Sequence, residues 1–544
     1  MAKALVAPLL RWAAGVEGHP AAVFGAPPRG KGEGFMEGVA GSEHDAPELA
    51  SVPASVRFNR SLFARTGILS LFLLWPLLFF GQMAVFEDTV SYLKAGRAAV
   101  GFIEAKLHFG HTPNYIGANN VVLKAPPPTS VDGKVVKTDV PGEEIKAGRS
   151  ASYSIFAYVL RGPDYRMFAL AVTQSILTAF LVVCLIGAYS SISERKFLLL
   201  AAMLAFVTPL AFEANFVMPD IFAGLMLGAL LLLSTEDQSL SGPIKVALIL
   251  LAGFGFASHA GNPPLAAALV MGGALWIWRW SKENRIRRLA LLAAPLFLGA
   301  AATLLQGFVA FREVGLGAGR YPLTLARSID NGPGKLYLDK YCPTKHYTVC
   351  EIFDNKVPLT IEDFLWSEKG LRYRATAAQM RRIRAEEGEI VFHAALEHPV
   401  EQFGQLAYDV PRQIATFGLR VLHFDLRVAV TRNGIPFLEH VAKPFDLGEI
   451  LANLSRVAVL ASLAIVAMEF RRWTPKQRAV ILLIAYGLFV NAFVSALFSG
   501  VSGRYQSRLI WLLPLAVALF ATFEPLQRMS GRLRRPAPDG PQKI

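Results

Sequence analysis

The sequence predicts an all-α polytopic membrane protein, with about ten transmembrane helices, an interfacial amphipathic helix and two large extracytoplasmic loops. Three observations predict it. Of 544 residues, 53% are hydrophobic and only 18% are charged, and the mean hydropathy is +0.39; a soluble chain of this length needs more charge to cover its surface. Apolar runs recur at a length of about 15–23 residues, close to the roughly 20 that a helix needs to cross hydrocarbon. Lysines and arginines gather beside alternate runs, as the positive-inside rule requires.

The span cores fall at 67–85, 167–189, 197–212, 221–233, 244–257, 265–277, 289–311, 450–468, 479–497 and 509–522. The third, fourth and fifth are short. Orientation follows from the basic clusters. Arg57, Arg60 and Arg65 precede the first span, and Arg195 and Lys196 separate the second and third. Arg279, Lys282, Arg285, Arg287 and Arg288 lie between the sixth and seventh, and Arg471, Arg472, Lys476 and Arg478 between the eighth and ninth. Arg528, Arg532, Arg534 and Arg535 follow the tenth. An even count of spans places every cluster on one side, the cytoplasm, with both termini. The net charge of +14 is therefore topological and calls for no nucleic-acid partner.

The chain then divides into a disordered cytoplasmic tail (1–60), a transmembrane core (61–312) containing the first extracytoplasmic loop (86–166), a large extracytoplasmic loop (313–446), C-terminal transmembrane helices (447–525) and a second cytoplasmic tail (526–544). Residues 1–60 are rich in Gly, Ala, Pro and Glu and show no clean signal peptide. The first loop opens on a helix from Thr89 to Leu107, with Leu93, Val100, Ile103 and Leu107 on one face, suited to lying in the membrane interface. A proline run at 124–129 breaks regular structure. In the large loop 361–396 reads as helical, and His398-Pro399 and Val410-Pro411 punctuate the stretch beyond it. Of three cysteines, Cys184 lies in an apolar run. Cys342 and Cys350 flank a short polar stretch, and an extracytoplasmic position favours a disulfide between them.

The residues suited to chemistry sit at the extracytoplasmic ends of spans. Glu87-Asp88 follows the first span and Asp220 precedes the fourth. A carboxylate at the membrane edge is costly unless it is paired or used. The simpler role for Asp88 and for Asp220 is to cap the adjoining helix. Arg504 and Arg508, with Tyr505 between them, precede the last span where positive-inside disfavours arginine; four residues apart on a helix, their guanidinium forks suit a phosphate, and their simpler role is to pair with those carboxylates or to snorkel to headgroups. His259, in an extracytoplasmic loop, is suited to binding a phosphate or a metal, or to proton transfer. Arg312, Glu313, Arg320 and Tyr321 are weaker candidates.

This layout resembles the GT-C superfamily of polytopic glycosyltransferases, such as the lipid A aminoarabinose transferases and protein O-mannosyltransferases. The resemblance rests on Glu87-Asp88 after the first span, the interfacial helix from Thr89, Asp220 in the next extracytoplasmic loop, and the long loop before the last spans. It covers about residues 60–525 in layout. It implies a polyprenyl-phosphate sugar donor, a membrane-lipid or cell-envelope glycan acceptor, inversion at the anomeric carbon, and an inner-membrane location. A carboxylate would take the acceptor proton, and arginines would stabilise the departing phosphate. No nucleotide fingerprint is present, and metal dependence, which varies in the superfamily, stays open for a divalent ion. The rival readings are a transporter or flippase of a lipid-linked or anionic substrate, and an O-antigen polymerase or ligase. The former usually shows internal repeats and charges within spans.

Overall fold

The computed structural model describes residues 56–107, 148–163, 165–236, 239–281, 283–419, 422–432, 434–441 and 448–521, all in the unit Pro53–Ile544. The proline run at 124–129, the tail at 526–544 and residues 1–55 lie outside the described residues. The expected boundary of the first tail moves: Val56 is already fixed, its amide donating to the Ser239 carbonyl and its carbonyl accepting from Ser241.

The protein is mostly helical. The first half contains α1 (Arg60–Leu73), α2 (Trp75–Phe80), α3 (Thr89–Leu107), α4 (Ala151–Val159), α5 (Phe168–Tyr189), α6 (Glu194–Val207), α7 (Leu210–Ala214), α8 (Ile221–Thr235), α9 (Gly242–Ser258), α10 (Asn262–Trp280) and α11 (Arg285–Gln306). Next come α12 (Leu323–Asp330), α13 (Pro333–Tyr341), α14 (Thr348–Ile352), α15 (Leu371–Arg374), α16 (Ala377–Glu397) and α17 (Pro399–Ala415). A hairpin of β1 (Leu426–Val430) and β2 (Pro436–His440) succeeds them, antiparallel with Leu426 opposite His440. The chain closes on α18 (Gly448–Glu469), α19 (Pro475–Phe498), α20 (Gly503–Ile510) and α21 (Leu512–Phe520).

Among the described residues, five helical stretches are long and apolar enough to cross a membrane: Arg60–Phe80, Phe168–Tyr189, Arg285–Phe311, Glu449–Glu469 and Pro475–Phe498. Ile221–Thr235 and Gly242–Ser258 are apolar but shorter. The expected spans at 197–212 and 509–522 are each divided between two helices. The first ends at Val207 because Pro209 comes two residues later, and proline removes an amide and drives its predecessor out of the helical region. The second passes from α20 to α21 at Trp511. The expected span at 265–277 lies inside α10, which ends on Trp278, Arg279 and Trp280.

Helix α8 is the centre of the bundle. Every one of its residues from Ile221 to Thr235 is buried, which suits a helix apolar all round. It packs against α5, α9, α10, α11, α19 and α20. Gly224 and Gly228 let neighbours approach: a Cβ at Gly228 would strike the Leu181 side chain of α5, and one at Gly224 would run into the Arg508 carbonyl of α20.

A second, separate core lies between residues 325 and 394, built on Leu325, Tyr337, Val349, Phe364, Met380 and Ile390. Cys342 and Cys350 are joined in a disulfide, with Cα atoms 5.3 Å apart; Cys184 is a buried free thiol. The helix expected at 361–396 is interrupted. A π-turn at Glu362–Trp366 and the short α15 precede α16, whose start is fixed by a capping box between Thr376 and Gln379. Pro399 opens α17, as a first-turn proline can. Pro411 breaks nothing and lies inside that helix, contrary to its expected role as punctuation.

Candidate functional site

Two chain segments 128 residues apart are laid side by side at one end of the bundle. The Ala84 amide donates to the Asn215 carbonyl and the Val217 amide to the Ala84 carbonyl, both at 2.9 Å, which pairs the strand-like ends before Glu87-Asp88 and before Asp220. Thr89 locks the pairing by donating its hydroxyl to the Val217 carbonyl at 3.1 Å. Buried amides hold the other edge. Gln174 donates to the Ala214 and Phe216 carbonyls, and Asn215 to Leu73 and Ala211. Because buried backbone groups must be satisfied, these side chains dictate the path that delivers Asp220.

Asp220 has no solvent exposure, and its side chain makes no capping hydrogen bond, so the capping role is overturned there. Neither carboxylate oxygen has a hydrogen-bond partner. The Arg508 Nη1 stands 4.0 Å from Oδ1. Arg508 is also buried. It donates from Nη2 to Asn491 Oδ1 at 2.6 Å, while Nε and Nη1 have no hydrogen-bond partner. Arg504, one turn earlier, lies 4.4 Å over the Phe86 ring, donates to the Tyr505 hydroxyl at 3.3 Å and leaves Nη1 without a hydrogen bond. Asn491 fixes α20 from α19, donating to the Tyr505 carbonyl and the Gln506 side chain.

Asp88 is half-buried, and its carboxylate is ion-paired with Arg149. The helix it precedes begins where expected, with the Tyr92 amide donating to the Asp88 carbonyl at 3.1 Å. Glu87 is exposed and makes no ion pair among the described residues. Arg149 also lies 5.7 Å over the Tyr92 ring. Tyr92 links the two carboxylates: Arg149, Asp88, Asp220 and Arg504 all act on its buried phenol, whose pKa burial pushes up. The segment of Arg149 is fastened by Gln306, which donates to its carbonyl at 3.1 Å, and by Ser150, whose hydroxyl reaches the Ser258 carbonyl at 2.7 Å.

That last contact brings in His259, the residue directly after Ser258. Its side chain is half-buried, and its Nδ1 accepts the Gly261 amide at 3.1 Å. Enclosure by protein, and then the charges of Arg508, Arg504 and Arg149, hold its imidazole well below the ordinary range, so it is neutral near pH 7. Glu213, buried on α7, feels Arg508 and Arg504; burial first, and Asp220 second, raise its pKa well above the carboxylate range.

The structure thus gathers Asp88, Asp220, Arg504, Arg508, Tyr505 and His259, with Glu87 at the rim. The weaker candidates are engaged elsewhere. Glu313 is ion-paired with Arg384, Arg320 reaches Glu387 at 3.4 Å, and Tyr321 packs edge-on to Trp366. Arg312 takes a left-handed backbone conformation at the end of the π-turn beyond α11. Three participants escape a reading of the sequence alone. Arg149 carries the signal used for Arg504, a basic residue where positive-inside disfavours one. Glu213 shares a loop with Asp220, and Asn491 is a polar residue within a span. Among the described residues, no three His, Cys, Asp or Glu side chains come together as a metal-binding group.

No family model matches the chain, and neither a curated protein nor a solved structure matches it.

Proposed function

We propose that the protein is a membrane glycosyltransferase of GT-C type. In this reading it moves a sugar from a polyprenyl-phosphate donor to a lipid or glycan acceptor on the extracytoplasmic face of the inner membrane. The observation that carries the reading is the juxtaposition of buried guanidinium nitrogens lacking hydrogen bonds, on Arg504 and Arg508, with two carboxylates, Asp88 and Asp220. Buried donors and acceptors are normally satisfied. A phosphate oxygen fits the guanidinium edges, and an acceptor hydroxyl fits a carboxylate oxygen.

The step follows from those roles. The acceptor hydroxyl oxygen forms a bond to the anomeric carbon, and the bond from that carbon to the phosphate oxygen breaks. The electron pair stays on the phosphate, where Arg504 and Arg508 stabilise the growing charge. The hydroxyl proton passes to Asp88, which Arg149 orients and which is open on its exposed side. Asp220 positions Arg508 and offers a second acceptor, and Tyr505 and His259 complete the wall facing the phosphate. Glu87, exposed at the rim, stands outside the reacting centre.

The test is an isosteric pair. Asp88→Asn retains size and the ability to cap but takes up no proton, so transfer of labelled sugar from a polyprenyl-phosphate donor should fall roughly a hundredfold or more. Glu87→Gln should leave transfer intact. Near-normal transfer by Asp88→Asn in folded protein would remove the assigned base. Failure of the wild-type protein to transfer from any lipid-phosphate sugar would remove the function.

A further inference from the structure

Helix α17 is built inside out. Its buried residues are polar: Gln402, Asp409 (2% exposed) and Gln413 (0%). Its large apolar residues are exposed: Val400 (79%) and Phe403 (71%), with Tyr408 and Ile414 further along, while the exposed charges Glu401 and Arg412 stand near its two ends. A helix on the surface of a soluble domain has the opposite arrangement. The polar face is not misplaced, because Asp409 and Gln413 are matched. Asp409 accepts from Arg327 at 2.6 Å and from Gln405 at 2.9 Å, and Arg327 in turn donates to the Ala496 carbonyl at the end of α19. Gln413 accepts the Ser502 amide at 2.7 Å and donates to the Ser502 carbonyl at 2.9 Å. These bonds fix the rotation of the helix, since turning the apolar face inward would strand a buried carboxylate and its arginine.

The apolar face continues onto neighbours. Phe392 and Leu396, one turn apart near the end of α16, are both exposed beside the start of α17. Helix α17 packs along α19, itself apolar and long enough to span a membrane, whose Leu482, Phe489 and Phe493 are exposed. The two helices thus present neighbouring apolar surfaces, and α19 has the length and composition of a membrane span.

We propose that α17, with Phe392 and Leu396 of α16, is seated in the hydrocarbon of the bilayer beside α19, so that the segment between the seventh and eighth apolar runs is not wholly extramembrane. In lipid a polar-in, apolar-out helix is the favourable arrangement, because no exposed apolar area then faces water. The proline inside the helix agrees with this, since helix-interior prolines are tolerated in membrane helices.

Site-directed spin labelling of the full chain in lipid nanodiscs tests it. Cys184 is buried and Cys342 and Cys350 are bonded to each other, so a cysteine introduced by Phe403→Cys or Val400→Cys is selectively labelled. Both sites are exposed, so substitution removes no core packing. Glu368→Cys, at an exposed charged position of the second core, is the aqueous control. The proposal expects labels at 400 and 403 to collide freely with oxygen and to lose access to a water-soluble nickel complex, with the reverse at 368. Nickel access at 403 equal to that at 368 would overturn it. So would loss of access to both reagents, which would mean that protein, such as a second copy of this chain, covers the face. Because no measurement depends on sugar transfer, the result is independent of the catalytic proposal.

Discussion

Removing one member of the buried Asp220–Arg508 pair should cost far more than removing both. The pair is separated by 4.0 Å, and neither side chain has appreciable exposure. At that distance the attraction is about 4 kcal/mol for an effective dielectric near 20. Asp220→Leu leaves Arg508 buried with a hydrogen bond to Asn491 and the Tyr505 ring beside it, and Arg508→Met leaves Asp220 with no hydrogen bond and Glu213 nearby. Each single change should destabilise by about 3–5 kcal/mol, the usual result of stranding a buried charge. The double variant, Asp220→Leu with Arg508→Met, replaces the ions by apolar groups and should recover most of that loss. Reversible unfolding in mixed micelles gives the cycle directly. A coupling energy below about 0.5 kcal/mol, the level seen for independent sites, would refute the pairing. The double variant also separates stability from chemistry, because a folded protein lacking both groups should not transfer sugar.

Two further outcomes are expected. Gly224→Ala should destabilise by roughly 1–3 kcal/mol, since its methyl group would meet the Arg508 carbonyl and the Trp511 ring; thermal unfolding reads this, and an unchanged midpoint would show that α20 is free to shift. His259 is held neutral in the fold, so its folded pKa lies below the unfolded value near 6.5. Its contribution is intact above about pH 6.5 and is lost as the pH falls below it, by at most about 1.4 kcal/mol per pH unit. His259→Asn should flatten that part of the stability curve, and an unchanged slope would place the titration elsewhere.

Much of the candidate site is legible in the sequence because membrane chains leave few uses for charge. Asp88, Asp220, Arg504 and Arg508 stand out by type and position, and the helix Thr89–Leu107 has the expected bounds. The illegible part depends on pairing across long sequence separations. Nothing local in Ala84 or Phe216 announces that they lie side by side, and the short hairpin at 426–440 shows no sustained alternation. Length also misleads: hydropathy alone does not show that Pro209 divides an apolar run, or that α8 is enclosed by protein on all sides. The periodicity of α17 is plain, but periodicity does not say which face turns inward. That depends on Arg327 and Ser502, 82 and 89 residues away from their partners.

The order of these groups along the chain has a consequence for biogenesis. Glu213 and Asp220 are synthesised long before Arg504 and Arg508. Until the last helices are made, α8 has two carboxylates beside it and neither of those guanidinium groups to meet them. Seating α8 in its final position at that stage would bury these carboxylates without their partners, which is unfavourable. Seating α8 without stranding those carboxylates therefore requires α20, so the centre of the bundle depends on a segment made much later in the chain.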